Sequence, residues 1–157
     1  MRVRLKYREM SQKFKKACLS LMALMLFTTA SMAGNNAAKS TKTSGFNWNP
    51  VMDAIIQVES GGDPKAVSGN SVGAMQITPI LVKDCNIILE RRKSKKRYTM
   101  ADRYSVEKSK EMFLLIQSYY NPDNNVEKAI RSWNGGARYS VRATNGYYRK
   151  VMNKMKN

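Results

Sequence analysis

The apolar positions of this chain fall into helical stripes, and nowhere into the alternation expected of a strand. Val51, Ala54, Ile55 and Val58 recur at i, i+3, i+4 and i+7, the spacing of one helix face. Asn49 stands before Pro50 as an N-cap with proline in the first turn. Gly61-Gly62 followed by Asp63-Pro64 ends that helix in a turn. Thr78-Pro79 repeats the starting pattern and predicts a second helix to about Leu89. Ser105 caps a third, with Val106, Met112, Phe113, Leu115 and Ile116 as its apolar face. Asn121-Pro122-Asp123 is a turn, Val126 to Trp133 a fourth helix closed by Asn134-Gly135-Gly136, and Tyr147 to Met155 a shorter last one. The predicted fold class is all-α.

The first 33 residues do not fit this pattern. Met1 to Lys16 is basic, Ala17 to Ala30 is a nearly unbroken apolar run of 14 residues, and Ser31-Met32-Ala33 is small. That order is the pattern of a secretory signal, with cleavage expected after Ala33. Export to the periplasm or cell envelope follows as an expectation. The run is short for a membrane span, which needs about 20 apolar residues, and an uncleaved anchor is the alternative. Residues 34–46 are polar and small, and read as a flexible linker. Residues 47–157 then make one domain, large enough for a single core. No internal repeat is seen.

Charge and composition exclude more chemistry than they select. The chain carries a formal charge of +17, two Cys and no His. Removing the leader takes seven cations and one acid with it, leaving +11. Only Cys85 then remains, so no intramolecular disulfide can form; it lies in an apolar helical pattern and reads as a small buried hydrophobe. Without His, the usual Cys/His zinc patterns and every His-dependent triad drop out. No metal and no cofactor is expected, and a monomer is. Arg91-Arg92-Lys93-Ser94-Lys95-Lys96-Arg97 is the densest run of charge. Such runs are by default solvated loops; the functional reading is attachment to an anionic cell-wall polymer or a membrane surface. Nucleic acid would also attract it, but the export signal and the lack of a nucleic-acid-binding motif argue against that partner.

Three ordered segments remain to be explained: Glu59-Ser60-Gly61-Gly62, Gly73-Ala74-Met75-Gln76-Ile77-Thr78-Pro79, and Ala129-Ile130-Arg131-Ser132-Trp133-Asn134-Gly135-Gly136. Together they resemble the signatures of soluble lytic transglycosylases: a Glu-Ser pair after an apolar helix, a Gly-Leu-Met-Gln segment, and an Ala-Tyr-Asn-Ala-Gly segment. Thr144 to Val151 is similar to the family's Glu-Thr-x-x-Tyr segment. The resemblance spans about Trp48 to Met152. The sequence departs from it at Ala74 (usually Leu), Trp133 (Tyr), Gly135 (Ala) and Ala143 (often Glu). It implies a lysozyme-like fold and cleavage of the glycan strands of peptidoglycan.

Most glycosidases need two carboxylates, and Glu59 is the one well-placed candidate here. The resemblance implies that a single Glu suffices. It protonates the oxygen between N-acetylmuramic acid and N-acetylglucosamine, the substrate's acetamido group stabilises the anomeric cation, and the ionised Glu then takes the proton of the muramyl 6-hydroxyl. The product is a 1,6-anhydro ring. For this role Glu59 must be protonated well above the ordinary Glu value, as burial against apolar groups would arrange; Met75, Ile77 and Trp133 are the proposed neighbours. Gln76 and Asn134 are candidates to bond the sugar's acetamido and hydroxyl groups. Trp133 or Tyr147 could pack on a pyranose face, and Ser60 and Ser68 could bond near the carboxylate. Structural readings stand beside these: Met75 and Trp133 as core, Gln76 satisfying loop backbone, Asn134 as a left-handed helix cap, and Glu59 as a solvated helix-end carboxylate. A hydrolytic muramidase, or a wall-binding or secretion-assembly protein with little turnover, are the competing functions.

Overall fold

The computed structural model describes residues 45–156. The expected leader over 1–33, and most of the expected linker over 34–46, lie outside them. Five helices dominate: α1 Asn49–Ser60, α2 Pro79–Arg91, α3 Val106–Tyr120, α4 Val126–Gly135 and α5 Val141–Lys154. Between α1 and α2 lie two short strands, β1 Val67–Ser68 and β2 Ser71–Val72, and before α3 a single 3-10 turn, Ala101–Tyr104. The helical expectation holds. The strands were not expected: Gly69-Asn70 closes a two-residue hairpin turn, with Gly69 at φ +57°, but two residues per strand are too few to show alternation.

Polar caps start four of the helices. The side chains of Thr78, Ser105, Asn125 and Ser140 accept the backbone N–H groups of Leu81, Lys108, Lys128 and Ala143, each satisfying a donor that helix geometry leaves without a partner. At α1 the expected cap moves by one residue. Trp48 is the N-cap, Asn49 and Pro50 are already helical, and Asn47 Oδ1 accepts the Asn49 N–H at 3.1 Å. Two other boundaries also move. α4 runs on through Asn134 and Gly135, so the cap falls to Gly136, at φ +73° but with ψ extended, and not to a left-handed Asn134. α5 begins at Val141 instead of Tyr147. Gly146 costs a helix about 1 kcal/mol, which the burial of Thr144 and Val151 on one face outweighs.

Trp48, Ile55, Met75, Ile77, Val82, Met112, Phe113, Ile130 and Val151 belong to one buried cluster fed by every helix. Trp48 meets Phe113 edge-on at 5.6 Å, and Phe113 carries Trp133 at 5.2 Å on another side. Cys85 is buried there, as expected, and its thiol is pushed up to about 12, mostly by desolvation.

The loop after β2 is held from three directions. Val72 and Ile77 exchange backbone hydrogen bonds at 3.2 and 2.9 Å. Arg103, in the 3-10 turn, donates to the carbonyls of Asn70 and Ile77. Gly73, at φ +77°, lies so close to the Arg103 carbonyl that a Cβ there would overlap it. The backbone of the 3-10 turn and that of the loop are therefore in direct contact.

Candidate active site

Glu59 is the second-last residue of α1, where the apolar face gives way to the Gly61 cap. The helix buries its inner side, and the carboxyl is half-buried at the edge of the core. From α5, 88 positions later, Tyr147 donates its hydroxyl to Glu59 Oε1 at 2.7 Å. Burial raises the carboxyl above its ordinary value, and the bond from Tyr147 partly offsets that by favouring the anion. Burial, reinforced by the charge of Glu59 and the hydrogen bond to it, holds the Tyr147 phenol far above its normal range. Tyr147 is therefore a donor at every working pH. A half-buried acid with one oxygen occupied by a fixed donor keeps its other oxygen free to carry a transferable proton.

The other sequence candidates separate into groups. Trp133 is half-buried and leans on Phe113, with part of its surface open. Asn134 is exposed in the last turn of α4, and Ser68 is exposed on the hairpin. Met75 is wholly buried and presents no surface to a ligand; it is a core residue. Ser60 does not bond the carboxylate. Its hydroxyl donates to the Ala74 carbonyl at 2.9 Å and accepts the Gly62 N–H at 3.2 Å, which ties the loop to the end of α1. Gln76 sits at φ +51° and its amide donates to the carbonyls of Gly73 and Ala66, at 3.0 and 3.3 Å. Its NH2 therefore braces the loop, and its side-chain oxygen is what remains to meet a ligand. Tyr147, expected against a sugar face, instead aims its hydroxyl at the acid.

Sequence reasoning passed over Arg131. Though charged, it is 4% exposed. Its Nε donates to Glu127 at 2.7 Å and its Nη1 to the Val141 carbonyl and Thr144 Oγ1, at 3.0 and 3.2 Å. Its guanidinium carbon lies 4.3 Å from the Tyr148 ring centroid. One buried cation thus clamps α4 to the first turns of α5, the helix that delivers Tyr147. The only sequence signal was its place inside the Ala-Ile-Arg-Ser-Trp-Asn segment.

Comparison with known proteins gives one match. The model of the family described as "Transglycosylase SLT domain" matches residues 35–156. No curated protein and no solved structure matches the chain.

Proposed function

The chain belongs to the transglycosylase SLT domain family, lytic transglycosylases of the lysozyme-like superfamily that act on peptidoglycan, and from that premise we propose that Glu59 is its acid and base. In this reading Glu59 protonates the oxygen of the β-1,4 bond between N-acetylmuramic acid and N-acetylglucosamine. The acetamido group of the substrate takes the place of a second carboxylate, and the 6-hydroxyl closes on the anomeric carbon, giving up its proton to the ionised Glu59. Donor and acceptor roles alternate on one group, so no second carboxylate is needed.

The 2.7 Å bond from Tyr147 to a half-buried Glu59 is the observation that carries this reading. Burial supports the acid stage by raising the proton affinity of Glu59. The Tyr147 hydroxyl supports the base stage by stabilising the anion left behind, a charge-assisted bond stronger than a neutral one. Gln76 Oε1, Asn134 and the open part of Trp133 are the sugar contacts we propose; exposed Ser68 is a weaker one. In the same proposal the chain is exported by its N-terminal leader and works as a monomer in the periplasm or envelope.

Digestion of purified peptidoglycan by the chain and by Glu59→Gln, with products weighed by mass spectrometry, tests the reading. Anhydro-muramyl ends that vanish with Glu59→Gln are the expected result. Reducing ends would make the protein a hydrolytic muramidase. No product at all from folded protein would leave a wall-binding or assembly role.

A further inference from the structure

We propose that the adjoining ends of α2 and α3 form a second contact surface for the same polymer, where Arg91 and Arg92, braced on Tyr119, take carboxylates of its peptide side chains. This rests on the reading of the protein as one that acts on peptidoglycan. The basic run does not behave as a unit. Arg91 Nη1 donates to the Tyr119 hydroxyl at 2.7 Å, and Arg92 Nη2 to Ser118 Oγ at 3.1 Å. Both guanidinium carbons approach the Tyr119 ring, at 5.9 and 5.8 Å from its centroid.

No carboxylate among the described residues pairs with either arginine. Each keeps several of its five N–H donors on an exposed, aromatic-braced fork suited to bidentate capture of a carboxylate. Part of the rest of the basic surface is already engaged within the chain. Lys96 and Lys108 share Glu111, at 2.6 and 3.2 Å, and Arg97 turns back onto the carbonyls of Ser94 and Lys96.

A polymer with carboxylates along its length fits this face better than a lipid surface does. The face is made of guanidinium, hydroxyl and phenol groups, with Tyr120 half open beside it and Leu114 exposed one turn before Ser118, and its guanidinium forks match carboxylates in bidentate pairs. A second attachment point on the polymer being cut would keep the enzyme on its strand between cleavages, by raising the local concentration of the next site.

Co-sedimentation of the full chain carrying Glu59→Gln with intact sacculi at low salt tests the proposal. Two further doubles in that background each remove two positive charges: R91S/R92S from the braced fork, and K96S/K108S from the Glu111 network. R91S/R92S should weaken binding about tenfold, and K96S/K108S less than about twofold. Sacculi stripped of peptide side chains by an amidase should hold the parent chain no better than intact sacculi hold R91S/R92S. Equal losses in the two doubles, undiminished binding by R91S/R92S, or full binding to stripped sacculi would each overturn the proposal. So would tighter Arg-dependent binding to phosphatidylglycerol vesicles or duplex DNA. If R91S/R92S does not fold, R91K/R92K keeps the charge and loses the fork; parental binding by it counts against the proposal, and a clear loss supports it. With Glu59 restored, turnover of short soluble fragments by R91S/R92S should be unchanged. A chain that binds in this Arg-dependent way but cuts nothing would refute the catalytic reading and leave this one standing.

Discussion

At Glu59 two opposing influences meet on one carboxyl, and their separation can be measured. Burial raises its proton affinity and the Tyr147 hydroxyl lowers it, with burial ahead. Tyr147→Phe removes the second influence alone. The alkaline limb of the activity–pH profile should then move to higher pH while kcat falls, because the anion formed after proton transfer has lost its donor. A role for Tyr147 in packing only would leave that limb where it was. Glu59→Gln should cost on the order of 10²- to 10⁴-fold in turnover, the usual worth of a general acid. Stability should move the other way. A carboxyl raised above 4.5 in the folded state contributes fully below its unfolded value, and that contribution is lost as pH rises through the folded one. Near neutral pH, Glu59→Gln should therefore unfold at the same temperature as the parent or a higher one, as calorimetry can show.

At the scale of elements, the site depends on two contacts that hold backbone segments together. Arg131 clamps α4 to α5 through Val141 and Thr144. Arg131→Met should lose about 2 kcal/mol, since buried Thr144 and the part-buried Val141 carbonyl lose a charged donor, and should depress turnover by loosening Tyr147. Gly73→Ala would force a Cβ into the Arg103 carbonyl at a positive φ and should cost about 3 kcal/mol; urea denaturation measures both. Helix starts were legible in the sequence because a cap is local: Thr78 and Ser105 each need only a backbone donor three residues on. Glu59 was legible because an apolar stripe ending at Gly61-Gly62 sets off a lone carboxylate. What stayed hidden was non-local. Nothing within a few residues of Tyr147 shows that its hydroxyl meets α1, and nothing near Arg131 shows that the rest of the fold encloses it. Met75 and Gln76 were ambiguous for a different reason. A loop lacks the periodicity that tells an inward side chain from an outward one, so the structural readings of both residues had to wait for the backbone.

Among the described residues, Trp48 anchors the N-terminal side of the domain. Trp48 is 7% exposed and wedged between Phe46 and Phe113, whereas Phe46 is 45% exposed. A chain starting at Asn49 loses the indole and should be about 3–5 kcal/mol less stable than one that keeps it. The far end matters in another way. Glu59 is made early, but its only hydrogen-bond partner among the described residues arrives 88 positions later. At synthesis speeds of about 5–20 residues per second, a growing chain carries its acid for roughly 4–18 s before Tyr147 exists. Through that interval the carboxyl lacks the donor that α5 brings to it. If Glu59 is the acid, as proposed, a chain cut short before Tyr147 should be inactive on peptidoglycan, which the digestion assay can check.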